Sequence, residues 1–197
     1  DFFQSGAYDR NREFILTTSP SMDILISSNL ERLIYRVAGD DASVNAGLMR
    51  ELSEQGQYTV TNEMRERMKD FAGGFATLEQ TAEEIRRVYQ KTGYVLDPHT
   101  AVASWVFHRY QEETKDTAPA VIAATASPYK FARSVMEAIN NEAQEADDLS
   151  LIDMLSSVSH TAVPRAIEEI RTAPVLHDKV IDKDQMEASV KEILGIA

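Results

Sequence analysis

Two short segments place polar, chemistry-bearing side chains where one kind of element gives way to the next. The first, Asp97-Pro98-His99-Thr100-Ala101, follows the apolar run Tyr94-Val95-Leu96. The second, Thr125-Ala126-Ser127-Pro128-Tyr129-Lys130-Phe131, ends a run of small and β-branched residues that begins at Ala118. In both, Asp or Ser stands directly before Pro. A side-chain oxygen there caps free N–H groups of a new helix, and Pro at the first helical position sacrifices no hydrogen bond. Capping accounts for Asp97, Pro98, Ser127 and Pro128, but not for His99. In open α/β sheets, ligands collect beyond the carboxyl ends of strands, where helix N-termini offer N–H groups to anions. Two such junctions predict a ligand crevice.

Other chemistries find little support. His99, His108, His160 and His177 have no i,i+4 partner and no zinc-ligand spacing, so no metal site is expected. No Gly-x-Ser-x-Gly elbow is present. Gly73-Gly74 lacks the surrounding Gly and Lys of a phosphate loop and reads as a helix break. With no cysteine there is neither a disulfide framework nor a thiol nucleophile, as fits a reducing cytoplasm.

The chain has 197 residues, 43% hydrophobic and 26% charged, enough to bury one good-sized core. Its net charge of −12 repels nucleic acid and anionic membranes, and its basic residues form no stripe. An anionic ligand therefore needs local anchors. The sequence opens on Asp1, without a basic-then-apolar leader, and no apolar run approaches the roughly 18 residues of a spanning helix.

The elements that must hold the two junctions follow from periodicity. Arg12–Pro20 reads as a strand running into a turn. Ile26, Leu30, Leu33, Ile34 and Val37 make a helical stripe, followed by a shorter helix ending at Gly56 and a short strand at Tyr58–Val60. Thr77 and Gln80 have capping-box spacing, Leu78, Ala82, Ile85 and Val88 form the apolar stripe of their helix, and Glu83 can pair with Arg87. Tyr94–Leu96 and Ala118–Ser127 are candidate strands, the latter of the kind covered on both faces in a parallel sheet. Each leads into a helix. A polar loop and three closing helices follow, the last with the stripe Met186, Val190, Ile193 and Leu194. The order predicts an α/β fold, helices packed around a small, mainly parallel sheet.

Three motifs occurring in order, Thr-Thr-Ser-Pro-Ser-Met-Asp-Ile-Leu-Ile-Ser-Ser-Asn-Leu-Glu-Arg-Leu-Ile-Tyr from Thr17, Leu-Asp-Pro-His-Thr-Ala-Val-Ala from Leu96, and Ala-Thr-Ala-Ser-Pro-Tyr-Lys-Phe from Ala124, closely resemble the C-terminal part of threonine synthase in its longer microbial version. The resemblance is distinctive from about Asp1 to Ile139 and weaker beyond. It implies a fold type II pyridoxal-phosphate enzyme of tryptophan-synthase-β-like architecture, acting in the cytoplasm on O-phosphohomoserine and water to give threonine and phosphate. Residues 1–197 would be the C-terminal portion of the catalytic region, with a helical extension from about 147.

The resemblance also implies residue roles. Thr125 takes the place beside the cofactor's pyridine nitrogen, where a hydroxyl moderates the electron sink more than a carboxylate would. Asp97, Pro98 and His99 fall in the segment lining the pocket. Lys130 matches the motif and suits anion steering better than covalent chemistry. Ser127 stands where many relatives have His, and its role reduces to capping. The family's cofactor-binding lysine sits in a Phe-Lys-Asp motif that this chain lacks; its lysines are Lys69, Lys91, Lys115, Lys130, Lys179, Lys183 and Lys191. The implied entity is an inert fragment supplying one pocket wall, with exposed apolar faces that favour self-association. The competing expectation is a noncatalytic acidic helical interaction domain.

Overall fold

The computed structural model describes residues 2–140, 143 and 145–196. It comprises two compact units, Asp1–Ala162 and Val163–Ala197. Among the described residues no helix is long and apolar enough to cross a membrane.

The first unit opens with α1 (Phe2–Ser5) and β1 (Ala7–Asp9), followed after a long irregular stretch by α2 (Leu30–Val37), α3 (Ala42–Gln55), β2 (Gln57–Thr59) and α4 (Asn62–Arg67). Strands β1 and β2 pair antiparallel, with Tyr8 opposite Tyr58. Their rings stack at 5.5 Å between centroids, a cross-strand aromatic pair of the kind that fixes register. Ile34, Val37, Leu48, Leu52, Met64 and Met68 close a core around Tyr58. A fully buried side chain of this size contributes about 1.5–3 kcal/mol.

Next come α5 (Leu78–Thr92), α6 (Pro98–Thr114), α7 (Ala132–Ile139) and α8 (Asp148–Ser159). Helix α5 packs on α6 and α7, and α7 packs on α8. Ile85, Ala101, Val135, Met136, Leu151 and Leu155 are almost wholly buried in this part. The expected capping box is formed: the Thr77 hydroxyl accepts from the Gln80 amide at 3.2 Å, and the Gln80 side chain accepts from the Thr77 amide at 2.9 Å. Gly93 ends α5 with a left-handed φ of 75°, which a residue bearing Cβ rarely adopts. The second unit holds α9 (Arg165–Thr172) and α10 (Met186–Leu194).

Three expectations are corrected. No parallel sheet exists among the described residues: the one sheet is the two-stranded antiparallel β1–β2 pair. Arg12–Ser19, Tyr94–Leu96 and Ala118–Ser127 run without helical or strand structure, and a short 3-10 turn, Pro20–Met22, follows the first. A strand requires a neighbour to accept its ladder bonds, and none is present here. Leu16 is 73% exposed and Val121 97%. Second, the helix expected from Ile26 begins only at Leu30. The Tyr8 hydroxyl accepts from the Ser27 amide at 2.7 Å and donates to the Leu25 carbonyl at 3.0 Å, which engages that backbone outside a helix. Third, Arg87 pairs with Glu84 and not with Glu83, and Leu78 is exposed.

Candidate functional site

A cleft of about 1260 Å³ opens in the first unit between the Thr17–Asp23 turn, the Gly73-Gly74 segment, one face of α6 and the segment from Ala123 to Phe131. His99, Thr125, Ser127 and Lys130 all line it. Asp97 and Pro98 do not; both are almost completely buried behind this wall.

The N-terminus of α6 is built by Asp97. Its Oδ1 accepts from the His99 amide at 2.9 Å and the Thr100 amide at 3.3 Å, while Oδ2 takes the Thr100 hydroxyl. The same Oδ1 lies 3.1 Å from His99 Nδ1. A carboxylate cannot donate, so Nδ1 carries the proton. The His99 side chain is 11% exposed, and the Phe131 ring tilts against it at 4.9 Å between centroids.

Ser127 caps the turn Pro128–Phe131, its hydroxyl accepting from the Tyr129 amide at 3.3 Å. Buried Tyr129 anchors this turn by donating to the Thr161 carbonyl at 2.7 Å. The anchor leaves Lys130 on the cleft side, its Nζ 5.7 Å from the centroid of the Phe131 ring. Thr125 is exposed at the cleft surface.

Sequence reasoning assigned no role to the opposite wall. Asp23 accepts from the Thr17 amide at 2.7 Å and the Thr17 hydroxyl at 2.6 Å, and that hydroxyl accepts from the Ser19 amide at 3.0 Å. These Thr17 bonds hold the Asp23 carboxyl below the usual carboxylate range. The available signal was Thr17-x-Ser19 followed by Asp23, hydroxyls and a carboxylate that satisfy their own turn. The glycine pair is a close-packing device. A Cβ on Gly74 would lie 2.8 Å from Val106 Cγ1, and one on Gly73 would lie 2.7 Å from Phe3 Cδ2.

Behind the cleft, one helical turn beyond the lining residue Thr81, the buried Glu84 joins α5 to α6. Arg87 donates to both its oxygens at 2.7 Å, and the Ser104 hydroxyl donates to Oε1 at 2.5 Å. Burial alone would raise this carboxyl. The Arg87 and Ser104 bonds outweigh burial and hold it below its usual range.

The cleft therefore combines an amphipathic interior, several hydroxyls, the cations Lys130 and Arg12, and an imidazole whose second nitrogen is buried without a partner. The carboxylates Asp23 and Asp70 also line it, so its charges of both signs are balanced. Comparison with known proteins bears on what such a cleft holds. Residues 100–194 match the family model described as threonine synthase, C-terminal. The human protein named threonine synthase-like 1 is 35% identical over 166 residues, covering 83% of this chain and 22% of the human one. Threonine synthase of Saccharomyces cerevisiae is 36% identical over 154 residues, 71% of this chain and 30% of its own. Among solved structures, pyridoxal-phosphate-bound threonine synthase from Brucella melitensis aligns with a TM-score of 0.65 at 37% identity, over 82% of this chain and 33% of that one. The yeast enzyme aligns with a TM-score of 0.76 at 26% identity, over 98% of this chain and 39% of that one. The chain spans between about a fifth and two-fifths of these relatives. In sequence and in fold it corresponds to the C-terminal part of threonine synthase.

Proposed function

We propose that this chain forms one wall of the cofactor and substrate cleft of a threonine synthase, which converts O-phosphohomoserine and water to threonine and phosphate, and that the chain by itself does not turn over. The observation that carries this reading is the convergence of His99, Thr125, Ser127 and Lys130 on one cleft, although they come from two separate capped junctions. Bound there, pyridoxal phosphate supplies an electron sink for bond breaking at the amino acid's carbons.

The chain's own groups bind and orient. Thr125 is assigned to the pyridine nitrogen, where a neutral hydroxyl leaves that nitrogen unprotonated. Lys130 and Arg12 offset the net charge of −12 for anionic ligands. Phe131 and Phe107 provide apolar surface for a ring. The lysine that would carry the cofactor belongs to polypeptide outside these residues. The same reading accounts for the exposed runs at Phe14–Leu16 and around Val121, which would pair within a sheet completed by that polypeptide.

The test joins this chain to the N-terminal part of a threonine synthase and replaces Thr125 with Val. A lost hydrogen bond to the ring should lower turnover roughly 5- to 100-fold and shift the cofactor's absorbance. Unchanged turnover and spectrum would remove Thr125 from this role. Turnover by the 197-residue chain alone would refute its inertness.

A further inference from the structure

His99 is held by one nitrogen only. Nδ1 donates to Asp97 Oδ1 at 3.1 Å, whereas Nε2 is buried and has no hydrogen-bond partner among the described residues. A second proton on Nε2 would leave a buried N–H with nothing to accept it, a costly arrangement. A bare lone pair at that position costs less. The geometry thus places the ring's proton on Nδ1, toward Asp97. Asp97 is itself immobile: it is 2% exposed and committed to two amides and a hydroxyl of the first turn of α6. The imidazole is consequently fixed both in orientation and in tautomer, as in sites where a carboxylate sets which nitrogen of a histidine is free.

We infer that Asp97 is a positioning residue that presets His99 Nε2 as a hydrogen-bond acceptor for an N–H or O–H of an amino-acid ligand in the cleft. The identity of the ligand class rests on the proposed function; the tautomer does not. Phe131 packs on the imidazole and, like His99 itself, lines the cleft. Lys130 can only donate, and neither the Thr125 nor the Ser127 hydroxyl hydrogen-bonds to Nε2.

Two measurements test the inference. In the 197-residue chain labelled with 15N-histidine, long-range proton–nitrogen correlations read the tautomer of His99 directly. The expected result is a proton on Nδ1, with the second tautomer appearing in D97N, where Asn keeps the cap but removes the charge. A proton resident on Nε2 in the unmodified chain would overturn the inference. In the full-length protein carrying this chain, His99→Phe keeps the ring's bulk without an acceptor, and His99→Gln restores an amide oxygen. The Phe variant should raise KM for O-phosphohomoserine about tenfold or more, and Gln should recover part of it. A KM within about twofold of the unmodified value in the Phe variant would overturn the acceptor role. A full-length protein with no turnover of O-phosphohomoserine would sink the functional reading instead, and the tautomer would then decide the inference alone.

Discussion

Glu84 and Arg87 form a two-pronged ion pair, both bonds 2.7 Å, in which the carboxylate is 1% exposed and the guanidinium side chain 37%. The pair is asymmetric: the acid is sealed between α5 and α6, while the base reaches solvent. His108 completes the cluster, its Nδ1 donating to the Ser104 carbonyl at 2.7 Å and lying 3.2 Å from Glu84 Oε1. Such a cluster ties the helix that carries His99 to its neighbour.

This asymmetry sets a pH dependence. The folded-state pKa of Glu84 lies below its ordinary value of 4.5. Its stabilisation is therefore complete above that value and is lost as pH falls through the lower, folded-state value. Asp41 and Asp147, which cap α3 and α8, are shifted the same way, so the comparison must isolate Glu84. Urea midpoints of Glu84→Gln should fall less steeply below pH 4.5 than those of the unmodified chain. Parallel profiles would exclude Glu84 as a contributor. Glu84→Ala should cost about 3 kcal/mol, the low end for breaking a buried pair, because Arg87 can still hydrate.

Asp97 accepts four hydrogen bonds from His99 and Thr100. Asp97→Ala leaves the first turn of α6 without its cap and a buried hydroxyl without its acceptor, at a cost of about 2–4 kcal/mol. Asp97→Asn, an equally good cap, should cost about 1 kcal/mol. Denaturant titration distinguishes them, and two equal losses would show that the charge and not the cap matters.

Caps of this kind were legible because the partners sit two or three residues apart. Asp97-Pro98, Ser127-Pro128 and Thr77 with Gln80 all behave as their spacing predicts. What failed depends on distant groups. Helix α2 starts late because a hydroxyl 19 residues upstream engages the Ser27 amide. Charge spacing pointed to Glu83, but the partner that favours Glu84 is Ser104, 20 residues downstream on another helix. The runs Arg12–Pro20 and Ala118–Ser127 carry strand composition, yet composition cannot provide a neighbouring strand. The cleft was foreseeable from its two junctions; its Asp23 wall was not, since an aspartate satisfying its own turn looks like any loop residue.

Three glycines make a graded test of why glycine is present, and of the three only Gly74 lines that cleft. Gly47 lies inside α3 with nothing within 4 Å of the place an added methyl would take, so Gly47→Ala should stabilise by about 0.5–1 kcal/mol through helix propensity alone. Gly93 also has open space, but its φ of 75° makes Gly93→Ala destabilising, by about 1 kcal/mol of backbone strain. Gly74 has no positive φ and fails for a different reason. Its added methyl would meet Val106 at 2.8 Å from Cγ1 and 3.3 Å from Cγ2. Valine in a helix is held to one rotamer, so the side chain cannot turn away and the loop must move from α6. Overpacking of this kind costs about 1–3 kcal/mol, and it displaces residues that line the cleft. Gly74→Ala should therefore be destabilised in thermal melts, and Gly74→Ala combined with Val106→Ala should recover most of the loss. If the double variant is no more stable than the single one, the glycine is not there to admit Val106.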